Sequence, residues 1–299
     1  MTKKDFISLA DFTQSELEQI IALAFKLKKE PHSLIAANKH LAMIFEKSST
    51  RTRISFEVAI NQLGGKAVIL NTQDMQLGRG ETIADTAKIL SRYVDLIMIR
   101  ANKHQDVITL AESADIPVIN GLTDFNHPCQ LLTDIFTYIE HKGSIKDKLV
   151  AWLGDGNNMC NSWLNAALIF GFRLNLAIAK GYYPDQNLLA RAKAAKLVNI
   201  YEDAQNAAKD ADLITTDTWV SMGDQDSAAR KEAFSKFQVT EELMSLAKAD
   251  AIFMHCLPAH RGEEVAAEVI DGRQSVVFTE AENRLHIQKA IISFLLSNK

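Results

Sequence analysis

Apolar positions along the chain follow two alternating rhythms. Runs of consecutive apolar residues predict buried β-strands at 41–45, 67–70, 96–100 and 117–120 in the first half. The same signal recurs in the second half at 149–153, 174–179, 213–216, 252–255 and 276–278. Between these runs the apolar residues return at every third or fourth position, which is the period of a helix with one buried face. Thr13-Gln14-Ser15-Glu16 reads as a capping box, and Leu17, Ile20, Ile21, Ala24 and Leu27 then share one helical face. Further helices are predicted over 51–63, where Gly64-Gly65 stops the pattern, and over 81–91, 104–113, 128–141 and about 281–297.

Strand–helix alternation with apolar strands implies parallel sheets covered by helices on both faces. The expected fold class is therefore α/β: two doubly wound parallel-sheet domains joined by helices. The first is placed at 1–135 and the second at 136–284, with a C-terminal helix at about 285–299 able to pack back on the first. A chain of 299 residues suits two domains of ordinary size.

Composition narrows the partners. With 47% apolar and 23% charged residues the expectation is a soluble globular protein, and a net charge of −4 supplies no basic field for nucleic acid. No apolar run approaches the ~18 residues that span a bilayer. The N-terminus lacks the apolar core of a signal peptide. Cys129, Cys160 and Cys256 are odd in number and far apart, which fits a reducing cytoplasm better than a disulfide framework.

Candidate chemistry sits where parallel sheets bind ligands, beyond the carboxyl ends of strands. Polar clusters follow Phe45, Asn120, Leu153, Thr216 and His255, and Arg100 ends its strand. Ser48-Ser49-Thr50-Arg51-Thr52-Arg53 joins a strand to a helix, so free N–H groups, hydroxyls and a guanidinium meet in one anion site; simple capping with solvated arginines is the alternative. His127-Pro128-Cys129-Gln130 opens a helix with Pro128 in its first turn, and His127 and Gln130 are spaced to face one point. Asp155-Gly156-Asn157-Asn158 follows a strand, but Met159 denies it the third glycine of a dinucleotide fingerprint. The adjacent His255-Cys256 pair lacks the ligand spacing of a zinc site, so neither metal nor cofactor is expected.

Taken in order, these motifs resemble the aspartate and ornithine carbamoyltransferases. The resemblance runs through Ser49 to Arg53, Gln76 to Thr82, Asp85-Thr86-Ala87, Arg100, His127 to Gln130 and His255 to Pro258. It implies a carbamoyl phosphate site built from Ser49, Thr50, Arg51, Thr52, Gln76, Arg100, His127, Gln130 and Arg284. Within it Arg100, His127 and Thr52 would contact the carbamoyl oxygen and Gln130 the carbamoyl amide. Asp217-Thr218-Trp219-Val220-Ser221-Met222-Gly223 is similar to the substrate loop of the ornithine-specific members. The resemblance then implies L-ornithine as the acceptor, with another amine (aspartate, N-acylornithine or putrescine) as the alternative: Asn158 and the Met222 backbone on its α-carboxylate, Asp217 and Ser221 on its α-amino group, Cys256 and the Leu257 carbonyl beside its δ-amino group. Arg51, Arg100, His127 and Cys256 are the implied catalytic set. Gln76 resembles a residue donated to a neighbouring subunit's site, which implies a homotrimer.

Overall fold

The computed structural model describes residues 3–76, 80–220 and 227–297. The chain divides into two compact units, one of residues 1–133 with 283–299 and one of residues 134–282.

The first unit contains α1 (Gln14–Lys29), β1 (His40–Phe45), α2 (Thr50–Gln62), β2 (Lys66–Asn71), α3 (Ile83–Tyr93), β3 (Leu96–Arg100), α4 (His104–Ser113) and β4 (Val118–Leu122). It also holds the first turn of α5 (Pro128–Lys142). Its sheet is fully parallel in the order β2-β1-β3-β4. Ile44, Ile97, Ile99 and Val118 on the strands pack with Val107 and Leu110 of α4, each such side chain contributing roughly 1.5–3 kcal/mol when taken from water. The register slips where β3 meets β4, so that Ile99 faces Asn120 but Arg100 faces Leu122. Gly121 is the residue passed over. A Cβ there would lie 2.7 Å from Met98 Sδ and 3.1 Å from the Ile99 carbonyl oxygen, so glycine lets the two strands close around the slip that ends at Arg100 without displacing either. The strand predicted at 67–70 lies at the sheet edge and is half exposed rather than buried, because it has a neighbour on one side only.

The second unit runs through β5 (Leu149–Gly154), α6 (Asn158–Phe170), β6 (Arg173–Ile178), α7 (Gln186–Ala194), β7 (Val198–Tyr201), α8 (Ala204–Ala208), β8 (Leu213–Thr216), α9 (Ser227–Phe234), α10 (Glu241–Leu246), β9 (Ile252–His255), α11 (Ala267–Ile270) and the start of α12 (Val277–Ser297). Its sheet is also fully parallel, in the order β7-β6-β5-β8-β9. The core joins Leu153, Ile214 and Phe253 of the strands to Trp219 and Phe234.

Two strand readings need correction. Residues 276–278 are not a strand: pairing beside β9 is limited to the bridge of Phe253 with Ser275, and α12 begins at Val277. The apolar run there is a helix start whose Phe278 is exposed, and Glu280 already donates its N–H to the Val276 carbonyl. β7 escaped the sequence reading because it is a four-residue edge strand with one buried position.

From Asn283 onward α12 belongs to the first unit. Lys289, with no exposed surface, donates to the Leu27 carbonyl at 2.9 Å, the Pro31 carbonyl at 3.2 Å and Gln62 Oε1 at 2.9 Å. Its ammonium thus satisfies the carboxyl end of α1 and ties both α1 and α2 to the last helix. No described helix is long and apolar enough to cross a membrane.

Candidate active site

Each sheet reverses its strand order once, between β1 and β3 in the first unit and between β5 and β8 in the second. Such switch points leave a crevice beyond the strand ends, and ligands of doubly wound sheets bind there. Ser49 and Arg100 flank the first reversal, and Asn157 and Asp217 flank the second.

In the first unit Ser49 caps α2. Its Oγ accepts the Thr52 N–H at 3.3 Å and an Arg100 guanidinium N–H at 3.4 Å. Both lone pairs of that hydroxyl are then engaged, and its proton is left to donate to something else. Thr52, buried one turn into the helix, accepts from Arg284 Nη2 at 2.8 Å, which likewise frees its hydroxyl proton. Two guanidiniums and two donor-ready hydroxyls thereby collect at a helix N-terminus, whose dipole adds further positive potential.

His127 lies beside this cluster at the start of α5, where its carbonyl accepts from Leu131 at 3.1 Å. Burial, then the positive charges of Arg284 and Arg100, hold its pKa well below the ordinary imidazole value. At neutral pH it is an uncharged ring with one N–H donor and one acceptor. Gln130 follows one turn later and is 1% exposed. The loop leading into His127 is pinned from below. Asn120 Nδ2 donates to Asn126 Oδ1 at 2.6 Å and to the Ile7 carbonyl at 3.0 Å, and Thr123 N–H donates to the Asn126 carbonyl at 3.0 Å.

In the second unit the turn from β5 to α6 passes under 182–184. Gly156 N–H donates to the Tyr182 carbonyl at 2.8 Å, and a Cβ at Gly156 would stand 2.3 Å from the Pro184 nitrogen. Asn157 then caps α6, accepting from Met159 N–H at 2.9 Å and Cys160 N–H at 3.1 Å. Asp217, just beyond β8, receives three donors: Asn157 Nδ2 at 2.9 Å, the Thr218 N–H at 2.8 Å and the Cys256 thiol at 3.2 Å. Arg230 of α9 joins Asp155 to the Trp219 carbonyl, with its guanidinium over the rings of Tyr182 and Phe234.

Cys256 follows β9. Burial and the nearby carboxylates of Asp217 and Glu280 push its thiol pKa well above the ordinary value, so it stays an S–H donor rather than a thiolate nucleophile. His255, behind it, is fixed on every side. Its N–H donates to Glu280 Oε2 at 2.9 Å, its Nδ1 accepts from the Leu257 N–H at 2.9 Å, and its Nε2 faces Glu264 at 3.2 Å. Asp217, His255 and Cys256 have ligand atoms within 4.8 Å of one another. Yet both imidazole nitrogens are already engaged, so this trio is built as a hydrogen-bonded support for the 256–257 turn. That support holds Leu257 at a φ of 56°, a left-handed conformation that a leucine rarely adopts.

Comparison with known proteins meets this geometry unit by unit. Residues 4–140 match the aspartate/ornithine carbamoyltransferase carbamoyl-P binding domain, and residues 146–295 match the Asp/Orn binding domain of the same family. The chain belongs to the aspartate/ornithine carbamoyltransferase family. A protein of Methylococcus capsulatus named ornithine carbamoyltransferase is 53% identical over 99% of this chain and 100% of its own length. One of Ruthia magnifica with the same name is 52% identical over 98% of this chain and 99% of its own. Among solved structures, the ornithine carbamoyltransferase of Pyrococcus furiosus superimposes with a TM-score of 0.94 at 48% identity, covering 100% of this chain and 98% of that one. That of Burkholderia thailandensis gives 0.91 at 50% identity, with 98% of each chain covered.

The carbamoyltransferase residues expected from sequence are distributed unevenly. Ser49, Thr52, Arg100, His127 and Arg284 come together in the first unit, with Gln130 one turn from His127. The side chains of Thr50, Arg51 and Gln76 are exposed and make no hydrogen bond or ion pair among the described residues. Asp217 and Cys256 meet in the second unit, flanked by Asn158 and Leu257. Ser221 and Met222 lie outside the described residues. Sequence reasoning passed over Asn157, Glu264, Asn120 and Asn126, all of which brace site residues. Their signal was available only in part, as polar residues falling next to strand ends inside otherwise apolar surroundings.

Proposed function

We propose that this carbamoyltransferase moves the carbamoyl group of carbamoyl phosphate to the δ-amino group of L-ornithine, giving L-citrulline and phosphate. The observation that carries the acceptor is the Asp217 carboxylate braced beside the Cys256 thiol at a strand end of the Asp/Orn-binding domain. A fixed anion suits a diamino acid, whereas an aspartate acceptor calls for additional Arg or Lys. The names of the full-length relatives point the same way.

In this reading carbamoyl phosphate lies on the first unit. The α2 N-terminus, Ser49, Thr50, Arg51 and Thr52 take its phosphate, with Gln76 reaching from a neighbouring subunit of a homotrimer. Arg100, His127 and Thr52 donate to the carbamoyl oxygen, Gln130 accepts from the carbamoyl amide, and Arg284 orients Thr52. Ornithine is held by Asn158 and the Met222 backbone through its carboxylate and by Asp217 and Ser221 through its α-amino group. Cys256 and the Leu257 carbonyl then receive the δ-amino end. The neutral amine attacks the carbamoyl carbon, a tetrahedral oxyanion forms, and its collapse expels phosphate, which carries away the proton that the amine gives up. A neutral His127 fits this step, since an imidazole N–H polarises a carbonyl without surrendering its proton. Each donor aimed at the oxyanion is worth roughly 3–4 kcal/mol on removal, and alignment of two bound reactants about 7–11 kcal/mol. No metal or cofactor enters the scheme.

A panel of acceptors tests it: ornithine, aspartate, N-acetylornithine and putrescine, each with carbamoyl phosphate and phosphate release as readout. Ornithine should be turned over far faster than the others. Faster turnover of any other amine would overturn the assignment.

A further inference from the structure

Asn157 touches both the helix start of α6 and the acceptor carboxylate Asp217. Its amide cannot be turned round. Oδ1 accepts two N–H groups of the first turn of α6, from Met159 at 2.9 Å and Cys160 at 3.1 Å. A flipped amide would set its NH₂ against those two donors, so Nδ2 has to face outward. Outward is where Asp217 Oδ2 lies, at 2.9 Å.

The other carboxylate oxygen, Oδ1, takes the Thr218 N–H and the Cys256 thiol. Asp217 is therefore gripped on both oxygens by groups from three separate stretches of chain, after β5, β8 and β9. Of the three donors only Asn157 has its own orientation fixed by a helix end. We infer that Asn157 is a positioning residue for the acceptor: it sets the rotation of the Asp217 carboxylate and so the direction from which that carboxylate meets an ammonium group. The inference rests on the proposed role of Asp217 in holding ornithine.

The double duty of Asn157 makes the two parts separable. Serine and aspartate both cap helices well, so either should preserve the start of α6. Asn157→Ser keeps an acceptor for the first turn but withdraws the donor from Asp217. Asn157→Asp keeps the shape and the cap while placing a second carboxylate against Asp217. Asn157→Ala removes both functions.

Steady-state kinetics with each substrate varied in turn, carbamoyl phosphate affinity by calorimetry and thermal unfolding read the outcome. For Asn157→Asp and Asn157→Ser, KM for ornithine should rise about 10- to 100-fold, the span expected for a hydrogen bond to a charged group. Carbamoyl phosphate affinity should stay within about twofold of the parent, and Asn157→Asp should unfold close to the parent temperature. Near-parental ornithine KM in both variants, with stability lost only in Asn157→Ala, would mean that Asn157 merely caps the helix and would overturn the inference. Asp217→Asn separates this from the reading beneath it. If Asp217→Asn leaves ornithine KM unchanged, the role of Asp217 fails; if it raises KM while the two Asn157 variants do not, only the positioning role fails.

Discussion

The Arg284 guanidinium donates to the hydroxyl of Thr52 at 2.8 Å across a sequence separation of 232 residues. Arg284 also acts on His127, where its positive charge has a larger effect than that of Arg100. Removing it should therefore have two linked effects. Arg284→Gln should weaken carbamoyl phosphate binding about 10- to 100-fold, the cost of a lost charge-assisted hydrogen bond. It should also let His127 titrate nearer its ordinary range, as read from histidine ring resonances. Parental affinity together with an unmoved His127 titration would refute the assignment of Arg284.

The pH profile follows from two groups. A lysine-like amine has a pKa near 10.4, so the attacking neutral form of ornithine grows as pH rises above 7. His127 adds no opposing trend there, because its folded pKa is depressed and it is already neutral. The value of kcat/KM for ornithine should climb from pH 7 towards pH 9; a flat profile would exclude attack by the minor neutral amine. For stability the sign is the reverse of a salt-bridged histidine. The unfolded chain takes up a proton at this position near the ordinary imidazole value of 6.5 and the folded chain does not, so stability is lost as pH falls through that value.

Cys256 offers a test of direct transfer. Its thiol is held protonated by burial and by Asp217 and Glu280. Cys256→Ser keeps an O–H donor near Asp217 and should retain measurable turnover, whereas loss of a nucleophile would abolish it. Alkylation by iodoacetamide at pH 7 should be slower than for an exposed free cysteine. Complete inactivity of folded Cys256→Ser, or isolation of a carbamoylated thiol, would contradict the scheme.

How much of this was legible beforehand differed by feature. Strands 96–100 and 213–216 appear with the expected limits, because central parallel strands are buried throughout; 252–255 does so at a sheet edge, where all four residues are buried and the segment at Ser275 lies beside it. The edge strands β7 and β2 lack that signature, because their residues are mostly half-buried or exposed. The run at 276–278 misled because three apolar residues at a helix start resemble a short strand. Motif residues such as Ser49, Arg100 and His127 could be picked out, since each stands at a strand end or helix cap. Their braces could not: nothing in the local sequence tells that Asn157 faces Asp217 sixty residues on, or that Glu264 faces His255. The first pairing arises from strand order and the second from the path of the loop after β9, neither of which a one-dimensional pattern carries.

Lys289 gives a prediction about stability alone. Burial lowers its pKa from 10.5 to about 8. Between those values the unfolded chain holds a proton that the folded chain has shed, so folding becomes more favourable as pH rises across that window. The cost of burying the ammonium is fully present below pH 8. Lys289→Met deletes this titration, so the stability of the parent relative to the variant should increase between pH 8 and 10.5. Parallel unfolding curves for the two proteins across that range would show that the amine does not titrate there.

The return of α12 to the first unit has a consequence for how the protein is made. Arg284 and Lys289 are translated after the whole second domain, yet one completes the anion cluster around Thr52 and the other closes the ends of α1 and α2. The first domain to leave the ribosome is thus the last to become functional. A chain released early, or trimmed from its carboxyl end by a protease, loses the Arg284 and Lys289 contacts before it loses any part of the second sheet. Such fragments should be silent towards carbamoyl phosphate, and the labile donor would then be engaged only by chains translated to the end.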